Sequence, residues 1–210
     1  MWCAYHAAAR DLINDPGAST RDLHAHRSCL AGRDFAVLDL EGTSADPLTA
    51  RIIEVGIVLV SEDGTLGERR QWLVNPGVVF GPNVHGLSPE DVAGSPEFVG
   101  IASIVHGLLA GRVLVAHEAH YDVTLLGREL ALAGYELDSP AVCTRENLPS
   151  LQIGTRALIA VCAELGIPHP HPHRALPDAE ATAALLGHYL DRARVEGQPL
   201  LLPHGGCARP

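Results

Sequence analysis

No lysine occurs in the 210 residues: all fifteen basic side chains are arginine, set against 25 acids for a net charge of −10. That deficit argues against a protein that grips nucleic acid through a broadly basic surface, although it leaves a grip through metal ions open. Aromatic side chains are scarce, three Phe, four Tyr and two Trp, so extensive base-stacking platforms are not expected. The five cysteines, Cys3, Cys29, Cys143, Cys162 and Cys207, are odd in number and form no C-x-x-C pair, which gives a disulfide scaffold or a zinc ribbon little support. The longest apolar run, around residues 52–60, is interrupted by Glu54 and is too short to span a bilayer. Residues 1–10 have Tyr5, His6 and Arg10 where a secretory signal needs an apolar core, so the expected location is cytoplasmic, with no membrane partner.

What is present suffices for one domain. Apolar residues make up 47% of the chain, enough to build a core at this length. The expected organisation is a helical N-terminal extension over 1–32, a main domain over 33–195 and a Pro/Gly-rich tail over 196–210. No internal repeat is visible.

The main domain opens on strands. Residues 34–40 (DFAVLDL) and 51–60 (RIIEVGIVLV) are short, apolar and rich in β-branched side chains. An Asp63-Gly64 turn signal then leads into residues 69–75 (RRQWLVN), giving an antiparallel meander that Pro76-Gly77 closes. Beyond it helices alternate with strands, the pattern of an α/β layer. Ser88-Pro89-Glu90-Asp91 reads as a capping box with proline at the first helical position. Helical spacing follows over 98–109, a buried strand over 112–116, helix over 121–133, a short strand over 140–144, and helix over 155–165 stopped by Gly166. Residues 168–172 alternate proline with histidine and predict extended loop, before a last helix over 178–194.

Three segments carry chemistry. Asp39 and Glu41 are two apart at the end of the first strand, so both carboxylates project from one face and can converge on a cation. The spacing alone is weak, since chance gives roughly 0.7 such pairs in a chain of this composition. Their placement at the end of a central strand is stronger, because carboxylates buried there need a cation, a proton or solvent. The second segment, His117-Glu118-Ala119-His120-Tyr121-Asp122, follows a strand and opens a helix, where an acid also has the plain role of favouring the helix dipole. The third, His173-Arg174-Ala175-Leu176-Pro177-Asp178, places Asp178 at a helix start, where it could serve simply as a cap. His169 and His171 add to a histidine tract that could bind metal on its own account.

In chain order, Asp-x-Glu, His-x-Ala-x-Tyr-Asp and His-x-Ala-x-x-Asp resemble the DEDDh (DnaQ-like) family of 3′-to-5′ exonucleases, which includes the proofreading epsilon subunit of bacterial DNA polymerase III. The likeness runs over about residues 34–192, and His85-Gly86-Leu87-Ser88 adds a fourth matching segment. It implies an α/β, ribonuclease H-like mixed sheet, with an antiparallel three-strand opening, then parallel strands, and helices on both faces. It also implies an enzyme removing nucleoside monophosphates from DNA 3′ ends with two Mg2+ (or Mn2+), in repair or proofreading. On this resemblance Asp39 bridges the ions, Glu41 and Asp178 complete the water-activating site, Asp122 holds the second ion and His173 is the general base. Gly42 and Thr43 would offer backbone N–H groups near the terminal sugar, and His85 would reach the terminal nucleotide.

An oxygen-only ligand set suits magnesium or manganese and leaves the cysteines out. Glu118 stands where the family usually has Asn, placing an extra charge near the site, and Cys143-Thr144 replaces a frequent Asp-Thr. Gly42 and Ser44 stand where Thr and Gly are common. The rival readings are an RNA-trimming exoribonuclease of the same fold, a catalytically silent polymerase-associated binding module, and a metal sensor built on the histidine tract.

Overall fold

A computed structural model describes residues 32–81, 84–197 and 203–204. The helical extension expected before the main domain therefore lies outside the described residues, except for its last position. Strand β1 (Phe35–Gly42) pairs antiparallel with β2 (Ile52–Val60), which pairs antiparallel with β3 (Leu66–Leu73), as the meander predicts. On its other side β1 runs parallel to β4 (Val113–Ala116), and β4 runs parallel to β5 (Ala141–Cys143). A two-residue strand, β6 (Pro203–His204), pairs antiparallel with β5, giving the order β3-β2-β1-β4-β5-β6. The tail read as low in structure thus contributes an edge strand, a pairing too short to leave a pattern in the sequence.

Helix α1 (Pro89–Val92) carries the expected capping box from Ser88 and Asp91. The helix expected over 98–109 is divided into a 3-10 turn (Phe98–Gly100) and α2 (Ala102–Leu109), the break falling at Gly100, a poor helix former. Helix α3 (Ala119–Leu132) follows β4, α4 (Thr144–Asn147) follows β5, and α5 (Leu158–Leu165) ends at Gly166 in the left-handed conformation. The last helix, α6 (Ala175–Glu196), starts three residues earlier than expected, so Asp178 lies inside its first turn and does not cap it.

Alternation along β1 divides the core. Ala36, Leu38 and Leu40 face α2 and α3, packing with Phe98, Val105, Val123 and Leu126. Phe35 and Val37 face α5 and α6, packing with Val161, Leu185 and Tyr189. Burying each such Leu, Val or Phe side chain contributes about 1.5–3 kcal/mol, and two buried faces explain why the strand is apolar throughout until Asp39. Because side chains alternate, Asp39 and Glu41 continue the Phe35 and Val37 series onto the α6 face. Among the described residues no helix is long and apolar enough to cross a membrane.

Candidate active site

The parallel pairing of β1 with β4 stops at Val37 and Val115, while β1 runs on to Gly42. Past that point the β4-facing edge of β1 has no strand beside it, and its backbone groups need other partners. Asp122, in the first turn of α3, supplies one: its Oδ1 accepts the Leu40 N–H at 3.1 Å. This buried carboxylate thus reaches the strand end from one face of the sheet, while Asp178 arrives from the other on α6. Asp39, Glu41 and Asp178 each offer a carboxylate oxygen within 4.8 Å of the others. Asp122 stands outside that trio but is the neighbouring charge that acts most strongly on Asp39.

The electrostatics are those of acids crowded together. Desolvation pushes the Asp39 carboxyl well above its ordinary range, and Asp122, Asp178, Glu41 and Glu54 push it further. Glu41 is pushed up to about 8, by burial first and then by Asp178 and Glu54, with Arg174 opposing. Burial also raises Asp122, against the lowering effect of the Leu40 N–H. Such a donor set suits a hard divalent cation, which would offset the repulsion and accept oxygen ligands alone.

The imidazoles take different places. His173 adopts a left-handed backbone (φ 63°) with its side chain exposed, and its backbone N–H is what meets Asp178, at 3.2 Å to Oδ2. The ring against Asp178 belongs to His169, whose Nε2 donates to Oδ1 at 2.6 Å from a side chain only 4% exposed. The Pro-His alternation offered three equivalent histidines, and sequence could not say which one the loop would fold inward. His117 is tied down at both nitrogens: Nε2 donates to the Arg156 carbonyl at 2.8 Å, and Nδ1 accepts from the Thr144 hydroxyl at 2.9 Å. Its position is that of a brace between β4 and the segment before α5.

The residues expected to contact substrate divide as well. Thr43 does not present a free N–H: that group donates to the Arg51 carbonyl at 2.9 Å, and the Thr43 hydroxyl accepts the Arg51 N–H at 3.0 Å. The β1–β2 ladder continues one residue past β1 and uses those groups, which corrects the expectation of an exposed amide. Gly42 is required by packing, since a Cβ there would overlap the Tyr121 hydroxyl, which donates to the Ser44 carbonyl at 2.8 Å. His85 is buried; its Nδ1 accepts the Leu87 N–H at 3.0 Å, which leaves Nε2 carrying the proton without a partner among the described residues. Glu118 pairs with Arg145 and is 64% exposed, so its charge is largely answered outside the acid cluster. Cys143 is buried with its thiol on the His117 carbonyl at 3.3 Å and is pushed up to about 11 by burial, a poor metal ligand.

Gly56 was missed. In register it faces Asp39, and a Cβ at this position would overlap the backbone of Ala175 and Leu176 at the start of α6. The signal was available, because an isolated glycine inside an otherwise β-branched strand marks a close backbone approach.

A mixed sheet whose central strand ends in paired carboxylates, met by a third from the final helix, is the architecture of acid-centred exonucleases. The chain belongs to the RNase_T exonuclease family, which it matches over residues 36–186. The DEDDh (DnaQ-like) resemblance is thereby borne out. It is 31% identical over 175 residues to the 3′-5′ exonuclease DinG of Bacillus subtilis, covering 80% of this chain and 19% of that protein. It is 32% identical over 173 residues to a DNA polymerase III subunit epsilon-like protein of Rhodobacter capsulatus, covering 78% of this chain and 24% of the relative. The chain therefore spans a quarter or less of the length of these curated relatives. Among solved structures it resembles E. coli exonuclease I in complex with a dT13 oligonucleotide (TM-score 0.71, 15% identity, 79% of this chain and 42% of that one). It also resembles exonuclease X in complex with 5′ overhanging duplex DNA (TM-score 0.62, 24% identity, 79% and 95%). The fold is the ribonuclease H-like one that these neighbours share.

Proposed function

We propose that residues 33–195 form a cytoplasmic, metal-dependent 3′-to-5′ exonuclease domain that acts on single-stranded or frayed DNA ends and releases nucleoside monophosphates. The observation that carries this reading is the convergence of Asp39, Glu41 and Asp178, with oxygens within 4.8 Å and, among the described residues, no cation that neutralises all three. Asp39, Glu41 and Asp178 would hold one Mg2+ or Mn2+, and Asp39 with Asp122 a second. Bound divalent ions supply Lewis acidity that lowers the pKa of water and offsets charge on the attacking and leaving oxygens.

The remaining work belongs to the chain. Asp122, whose Oδ1 accepts the Leu40 N–H, holds its carboxylate at the open edge of β1. His173, exposed on the loop before α6, accepts the proton of the attacking water when a 3′ end enters, a role that suits an imidazole in its neutral form. His85, with an uncommitted Nε2–H, is a donor for the terminal nucleotide. Frayed ends are favoured because unpairing a terminus costs a few kcal/mol in a closed duplex and least where the pair is already open. DNA is preferred over RNA as substrate because the relatives carry DNA polymerase names and the structural neighbours were solved with DNA. Those same names support a polymerase-associated proofreading or repair role.

The test uses 5′-labelled single-stranded DNA, duplex DNA and RNA with magnesium, manganese or chelator. A ladder shortening from the 3′ end of DNA, lost with chelator and in Asp39→Ala and His173→Ala, is expected. Degradation by Asp39→Ala as fast as by the wild type would refute the site assignment.

A further inference from the structure

Strand β2 buries a carboxylate that the proposed chemistry does not use. Glu54 is 0% exposed and faces Glu41 in register, in a position where an unanswered charge would be costly. It is fully answered. Arg174 donates from Nε to Oε2 at 3.0 Å and from Nη2 to Oε1 at 2.7 Å, the Ala175 N–H donates to Oε2 at 3.0 Å, and Gln71 Nε2 donates to Oε1 at 2.6 Å. Gln71 belongs to the neighbouring β3, but Arg174 and Ala175 are 120 and 121 residues further along, at the start of α6. The Ala175 N–H is one of the first-turn donors that a helix leaves without an internal partner, and a negative charge there also favours the helix dipole.

Gly56 lies two residues along β2, where the missing side chain lets the backbone of Ala175 and Leu176 press against the strand. Glu54 thus fixes the helix start in direction, and Gly56 sets how closely it approaches. One turn on, Asp178 brings its carboxylate to Asp39, the register partner of Gly56, and to Glu41, the register partner of Glu54. A buried ion pair adds little net stability over packed apolar residues, so the contribution of this one is orientation more than strength.

We propose that Glu54 is a positioning residue: by clamping Arg174 and Ala175 onto β2 it fixes the first turn of α6 so that Asp178 completes a divalent-cation site with Asp39 and Glu41. The inference rests on the reading of that trio as a metal centre. Partners that orient metal ligands from outside typically contribute about 10- to 100-fold to metal affinity.

The experiment is Mn2+ titration calorimetry on the full chain, with thermal melting recorded in parallel, for wild type, Glu54→Gln, Arg174→Gln and Asp39→Asn. Glu54→Gln is expected to weaken Mn2+ binding by about 10- to 100-fold, Arg174→Gln by about 10-fold, and Asp39→Asn to abolish saturable binding. If Glu54→Gln fails to fold, Arg174→Gln, on a side chain 38% exposed, carries the comparison. Lower melting temperatures with Mn2+ affinity unchanged in the folded variants mean that the clamp is only scaffold, and overturn the inference while the metal reading stands. A wild type that binds no Mn2+, or binding that survives Asp39→Asn, overturns the metal reading and the inference with it.

Discussion

Glu41 and Glu54 are register partners on neighbouring strands, yet their carboxyls are driven in opposite directions. Glu54 is wholly buried and held below its ordinary value, because the donors from Arg174, Ala175 and Gln71 outweigh its desolvation. Glu41 is less buried yet is pushed up to about 8, by desolvation first and then by Asp178 and Glu54, with only Arg174 opposing them. Burial alone therefore does not mark a functional acid; burial without an answering cation does. One side of the pair is scaffold whose charges close on themselves, and the other is a set of charges that the described residues leave without a full counter-charge.

Substitutions on the two sides should separate accordingly. The largest effect expected is on activity: Asp39→Asn loses nucleolytic turnover by several orders of magnitude in the labelled-DNA assay, with the fold intact by circular dichroism. His173→Ala follows, with about a 10²- to 10⁴-fold loss in single-turnover rate, the range for removal of a general base. On stability the sides take opposite signs. Arg174→Ala leaves Glu54 buried without its charged partner and should cost about 3 kcal/mol in denaturant unfolding. Glu41→Gln, in chelator at pH 8, should stabilise the protein by about 1 kcal/mol, because it removes repulsion that Arg174 only partly offsets. A destabilising Glu41→Gln under those conditions would erase the contrast. The smallest effect belongs to the exposed Glu118–Arg145 pair, where Glu118→Asn should change stability by less than about 1 kcal/mol.

The strand carrying Asp39 and Glu41, the helix carrying Asp122 and the late helix carrying Asp178 were all legible, because each has a short-range signature. Alternation placed the first two acids on one face, and capping patterns marked helix starts near the others. The clamp was not legible, since Glu54 and Arg174 are 120 residues apart and nothing local to β2 announces what will pack on it. The same holds for Glu118, whose extra charge is answered by Arg145, 27 residues away. His169 against Asp178 could not be told from His171 or His173 because a Pro-His repeat has no apolar periodicity to orient it. The exposed Thr43 amide that the resemblance implied is not found, because the ladder with Arg51 continues through that residue.

The pH dependence follows from the same acids. In the metal-free fold Glu41 titrates at about 8, above its ordinary 4.5, so the folded protein binds a proton that the unfolded chain releases within that window. Its contribution to stability is therefore complete below pH 4.5 and is lost as pH rises through about 8, and the raised Asp39 and Asp122 carboxyls act in the same sense. A divalent cation reverses the balance by displacing those protons. The most direct measurement is the number of protons released on Mn2+ binding, from calorimetry in buffers of different ionisation enthalpy. Release of about one proton or more per protein at pH 7, declining toward zero well above pH 8, is the predicted result. Saturable Mn2+ binding with no proton release at pH 7, or release that Asp39→Asn leaves unchanged, would contradict the claim that these acids await a metal.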